Sequence, residues 1–126
     1  MNEENRPTQI EDRLFIGGIQ HRDTNILNSN SNYSFTIFKF IEIDDLETED
    51  FEQYFDECAD FINTTLTNPS NQILVHCQAG QSRSASALIA YYIKYRGLTL
   101  EDALSYVRER KPDVSPNKGF QRQLNV

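Results

Sequence analysis

The sequence predicts an α/β fold, with several helices packed on a mixed or parallel sheet. Three observations point there. A short apolar run, Gln72-Ile73-Leu74-Val75, has the length of a buried strand. Long segments with helical periodicity lie on both sides of it, and clusters of Asn, Ser, Pro and Gly punctuate the chain between them. At 126 residues the chain suits one folded domain with a single core, expected to cover residues 1–126.

Taken in order, residues 1–8 are polar and expected to be mobile. Residues 13–19 make a short buried strand that runs into a Gly17-Gly18 turn. Residues 25–32, NILNSNSN, carry turn chemistry and little to bury, so a loop is expected. Residues 33–43 alternate well enough for one strand, or two broken near Lys39. Asp50 can cap a helix over 51–66, whose apolar Phe51, Tyr54, Phe55, Cys58, Phe61, Ile62 and Leu66 share one face. Cys58 is thereby a core residue.

After the apolar strand comes a mostly apolar helix over 84–96, with Gly97 as its C-terminal stop. Such a helix is buried on most sides. Thr99 and Asp102 form a variant capping box for a helix reaching Lys111, where Pro112 prevents continuation. Ser115-Pro116 repeats the cap and first-turn signal for a final helix.

The chemistry concentrates between the apolar strand and the helix at 84–96. Residues 76–84 read HCQAGQSRS, with Cys77 and Arg83 at the two ends of one small-residue loop. A strand, a tight loop and a helix start bring backbone N–H groups together, and the helix dipole favours negative charge at that point. Donors and a fixed cation there stabilise a thiolate at Cys77. The planar fork of Arg83 matches two phosphate oxygens, and a cation at a helix start opposes the dipole unless an anion compensates. A thiolate beside an oxyanion-binding ring implies displacement at phosphorus through a phosphocysteine intermediate. Gly80 lets the backbone approach the phosphate. Ser84 is a helix cap, a donor to the departing sulfur, or both.

At these residues the chain resembles the cysteine-dependent protein phosphatases, specifically their small dual-specificity branch. Ser115-Pro116-Asn117-Lys118-Gly119-Phe120-Gln121-Arg122-Gln123-Leu124 is similar to that branch's closing helix, Ile41-Glu42-Ile43-Asp44-Asp45 to its general-acid segment, and Leu14-Phe15-Ile16-Gly17-Gly18 to an early strand. The resemblance implies a central mixed, mostly parallel sheet flanked by helices. It implies a metal-free hydrolysis of phosphotyrosine and phosphoserine/threonine in a phosphorylated protein substrate. Cys77 is then the nucleophile. Gln78, Ala79, Gly80, Gln81, Ser82 and Arg83 form the phosphate loop, and His76 lends support behind Cys77 where otherwise it is an ordinary strand-end histidine. Asp45 becomes the general acid, with Asp44 a variable neighbour; alternatively both belong to the acidic run 42–60. Asn117 is a supporting residue of the site or simply a helix cap.

Charge narrows the partners. The net charge of −7 speaks against nucleic acid. The charge is also sorted: residues 1–60 hold four basic and fifteen acidic side chains, residues 61–126 eight and four, so the catalytic half suits an anionic substrate. The loop interior adds no cation beyond Arg83, which fits a multiply charged lipid head group poorly. No apolar run approaches a membrane span. Two cysteines, one of them in a reactive loop, suggest a reducing compartment, cytoplasmic or nuclear. With two histidines and no ligand-like companion for His21, neither a metal nor another cofactor is expected.

Two competing classes remain: a phosphate-binding pseudophosphatase, and another cysteine–arginine loop enzyme such as a rhodanese or arsenate reductase. The former usually lacks the nucleophile that Cys77 supplies. The latter lacks the SPNKGF segment. One departure from the family pattern stands out. Only the 22 residues 19–40 separate the LFIGG segment from the acid segment, where relatives fit a helix and a strand. One sheet strand fewer is therefore expected, with residues 33–43 taking the place of the missing inner strand or merging two strands into one, a change that can move Asp45 by about one strand spacing of ~4.8 Å.

Overall fold

The computed structural model describes residues 7–17, 27–29, 37–39, 43–77 and 81–125. In chain order the elements are β1 (Thr8–Glu11), β2 (Leu14–Gly17), β3 (Leu27–Ser29), β4 (Ile37–Lys39), α1 (Glu52–Leu66), β5 (Ile73–His76), α2 (Arg83–Arg96), α3 (Leu100–Arg110) and α4 (Lys118–Leu124). The strands form one sheet in the order β1-β2-β5-β3-β4.

The α/β class and the mixed sheet agree with expectation, but the sheet is not mostly parallel. Among the described residues only β2 and β5 pair in parallel; β1 with β2, β3 with β5, and β3 with β4 are antiparallel. Connection length explains this. A parallel crossover needs a dozen or more residues, whereas residues 18–26 and 30–36 are the only chain between β2, β3 and β4. Chain length does permit the crossover from β2 to β5.

Two further expectations are corrected. The inner place beside β5 is filled, and by Leu27–Ser29 from the segment expected to be a loop; Ile37–Lys39 lies outside it. An unpaired edge of β5 would leave backbone donors and acceptors unsatisfied in the interior. Pairing with a short Asn/Ser segment satisfies them, overriding its turn propensity. At the N-terminus, Thr8 opens β1, so the polar segment expected to be mobile does not extend through residue 8; residues 1–6 lie outside the described residues.

The helices follow their periodicity closely. In α2, residues 84–92 are all buried, two and a half turns with no polar face. Each fully buried Leu or Ile side chain among them contributes about 1.5–3 kcal/mol. Gly97 ends α2 in the left-handed conformation at φ 68°. Thr99 caps α3 by accepting from the Asp102 N–H. The cap of α4 is Asn117, whose side chain accepts from the Phe120 N–H, so the helix begins two residues later than the Ser115-Pro116 signal suggested.

The main core joins β2, β5 and all four helices, from Leu14, Ile16, Ile73 and Val75 through Leu88, Val107 and Phe120. Phe15 and Leu74, neighbours on the opposite sheet face, form a second small cluster. Arg13 ties the sheet to α1. Its backbone takes a positive φ of 65°, and its guanidinium donates to the carbonyls of Leu66, Asn68 and Asn71, each at 3.0 Å. A cation at the C-terminal end of α1 also complements the helix dipole. This fixes the start of β5, and hence the height at which Cys77 emerges from the sheet.

Candidate active site

β5 delivers His76 and Cys77 at the end of the central parallel pair, where Gly17 faces His76 and the Cys77 N–H donates to the Gly17 carbonyl at 3.4 Å. Ligand-binding crevices form at such carboxyl ends of strands. Cys77 is buried, 8% exposed, and His76 behind it is buried at 1%. Its sulfur lies 3.3 Å from the Ser84 hydroxyl, itself fully buried in the first turn of α2. A helix-start hydroxyl aimed at a sulfur can donate to it when it carries charge.

Arg83 opens α2. Its Nη1 donates to the Ile43 carbonyl at 3.1 Å, and its Nε is buried with no partner among the described residues. The first turn of α2 contains no acidic residue. The helix dipole and the guanidinium therefore both act toward an anion, with nothing in that turn to neutralise them.

Ser82 stabilises the loop's far end. Its carbonyl accepts from the Ser86 N–H and hydroxyl at 2.8 and 2.7 Å, and its hydroxyl accepts from the Asn117 N–H at 3.0 Å. Gln81 is exposed on the rim; its carbonyl accepts from the Ser115 N–H and its amide donates to Asp113. Burial raises the Asp113 pKa, but the Lys111 ammonium and the Gln81 amide outweigh it and hold the carboxyl below its ordinary value. Gln78, Ala79 and Gly80 lie outside the described residues.

Residues 43–45 bond to this site from two directions, Ile43 through Arg83 and Asp45 through Asn117. Asp44 and Asp45 are both exposed, following buried Ile43. The two carboxylates differ in one respect: Asp45 Oδ1 accepts from Asn117 Nδ2 at 2.9 Å. Asn117 caps α4 with its side-chain oxygen and donates to Asp45 with its side-chain nitrogen. Among the described residues no group of three or more His, Cys, Asp or Glu could hold a metal ion. Cys58 is fully buried on α1, in the core as expected.

A family model describing the catalytic domain of dual specificity phosphatases matches residues 13–126. The chain belongs to that family. Dual-specificity phosphatases are cysteine-dependent protein phosphatases, and individual relatives agree in sequence and in fold. Dual specificity protein phosphatase 1 of Arabidopsis thaliana is 36% identical, the match covering 97% of this chain and 69% of that protein. The phosphatase domain of Yvh1 from Chaetomium thermophilum superposes with a TM-score of 0.74 at 29% identity, over 94% of this chain and 91% of that one. A human tyrosine phosphatase-like serine/threonine/tyrosine-interacting protein superposes with a TM-score of 0.79 at 25% identity, over 94% and 92%.

Within this dual-specificity phosphatase fold, sequence reasoning missed two residues beneath the acid segment. Gly119 packs so closely that an added Cβ would lie 2.0 Å from the Glu47 carbonyl oxygen. A glycine inside a short helix, costly for helix propensity, was the available signal. Gln123 bonds to the backbone of Glu49, Phe51 and Glu52, and nothing local announces it.

Proposed function

We propose that residues 1–126 form a single catalytic domain that hydrolyses phosphotyrosine and phosphoserine/threonine in phosphorylated proteins through a phosphocysteine intermediate. The observation that carries this reading is the pairing of Cys77 with Ser84 at the start of α2, beside Arg83. Cys77 attacks phosphorus as the thiolate. Loop amides and the Arg83 guanidinium stabilise the non-bridging oxygens as charge builds on them. Asp45 protonates the leaving oxygen, then takes a proton from the water that attacks the phosphocysteine. Ser84 donates to the sulfur as the S–P bond breaks, stabilising the thiolate leaving group.

The binding-only reading is the one to separate from turnover. The human tyrosine phosphatase-like serine/threonine/tyrosine-interacting protein, which shares the fold, raises it, and the retained Cys77 weighs against it. Phosphate release from phosphotyrosine and phosphothreonine peptides, measured for the wild type and Cys77→Ser, decides. Catalysis predicts turnover that Cys77→Ser abolishes, while tungstate or phosphate still binds the variant. Peptide binding without release by the wild type would establish the recognition module instead.

A further inference from the structure

We propose that Gln123 is a positioning residue that holds the general-acid segment in place for Asp45. The inference rests on the reading of Asp45 as the acid. Both ends of the Gln123 amide are committed to one stretch of chain. Its Oε1 accepts from the N–H groups of Phe51 and Glu52 at 2.9 and 2.8 Å, and its Nε2 donates to the Glu49 carbonyl at 2.9 Å. Phe51 gives the start of α1 no side-chain cap and the Asp50 carboxylate accepts there from the Gln53 N–H at 3.4 Å, so Gln123 supplies from α4 the acceptor for the Phe51 and Glu52 N–H groups.

From Glu49 the restraint continues by backbone bonds. The Glu49 N–H donates to the Leu46 carbonyl, and the Leu46 N–H to the Asp44 carbonyl, both at 3.0 Å. Two further contacts run along the same helix in the same direction: Gly119 against Glu47, and Asn117 at Asp45. Phe120 reinforces them by meeting Phe51 edge to face at 5.0 Å. The acid segment is thus fastened at both ends to α4, whose cap residue also bonds Ser82 of the phosphate loop. Asn117 restrains one carboxylate oxygen; Gln123 restrains the turn from which that carboxylate projects. A turn held at only one end can pivot, and a misplacement of ~1 Å costs about 100-fold where geometry matters.

The substitution Gln123→Glu separates this role from simple helix capping. A carboxylate still accepts from Phe51 and Glu52 and suits the helix N-terminus, but it repels the Glu49 carbonyl instead of donating to it. The expected result is a melting temperature close to wild type. The rate should fall about 10- to 100-fold on phenyl phosphate, a poor leaving group, and much less on 4-nitrophenyl phosphate. In an Asp45→Asn background the same substitution should cost nothing more. Equal slowing of both substrates, or full additivity with Asp45→Asn, would overturn the positioning role. If Asp45→Asn alone responds equally to both substrates, the acid reading fails first and takes this inference with it. Should Gln123→Glu not fold, Gln123→Met, which removes every bond at similar volume, is read by the same substrate ratio.

Discussion

Asn117 donates from Nδ2 to the Asp45 carboxylate at 2.9 Å while its own backbone N–H donates to the Ser82 hydroxyl at 3.0 Å. One residue therefore joins Asp45 to Ser82, at the N-cap of α2, and its side-chain Oδ1 caps α4. Asp45 is positioned relative to the loop by two hydrogen bonds through a single side chain and its own backbone. The inner strand position beside β5 is filled by β3.

Asn117→Asp is expected to keep the helix cap, because aspartate caps as well as asparagine. It replaces the donor to Asp45 with a like charge. Stability should stay near wild type while turnover of poor-leaving-group substrates falls. Asn117→Ala loses the cap too, at about 0.5–2 kcal/mol. Urea denaturation alongside steady-state kinetics distinguishes the two variants; equal stability losses would show that the cap contact is not what Asp preserves.

Asp45→Asn should lower turnover by roughly 10²–10⁴-fold on unactivated phosphate esters, and far less on 4-nitrophenyl phosphate. Asp44→Asn should change neither appreciably, because only Asp45 is bonded to Asn117 among these two neighbours. A dependence of rate on leaving-group pKa, measured across a series of aryl phosphates, checks both. The reverse pattern would transfer the acid role to Asp44.

Tyr92 predicts a stability loss at high pH. Burial, and then the hydrogen bond it donates to Glu11 Oε2 at 2.8 Å, raise its pKa well above the ordinary tyrosine value. The folded state thus favours the neutral phenol. Its contribution is complete below the unfolded value of about 10, and it is lost progressively as pH rises from there toward the folded value. Unfolding free energy measured between pH 8 and 11 should fall, and Tyr92→Phe should flatten that slope while lowering stability at pH 8 through the lost hydrogen bond to Glu11. An unchanged slope in the variant would assign the alkaline loss to other groups.

What was legible in the sequence is what short-range physics decides. The strand before Cys77 and the start of α2 at Arg83 lie within a dozen residues, so both follow from local conformation. The bounds of α1, α2 and α3 follow from a 3.6-residue apolar period and from Thr99 and Gly97 at their ends. Tertiary structure alone decided the rest. Leu27–Ser29 became a strand because the edge of β5 needed backbone partners, a demand invisible in NILNSNSN. The antiparallel sense of that pairing came from the length of the connections. Most of all, Asn117 bonds Asp45 and Gln123 bonds Phe51 and Glu49 across 72 to 74 residues of chain. A side chain that bonds to distant backbone leaves no periodicity and no local composition behind, so only the folded chain reveals it.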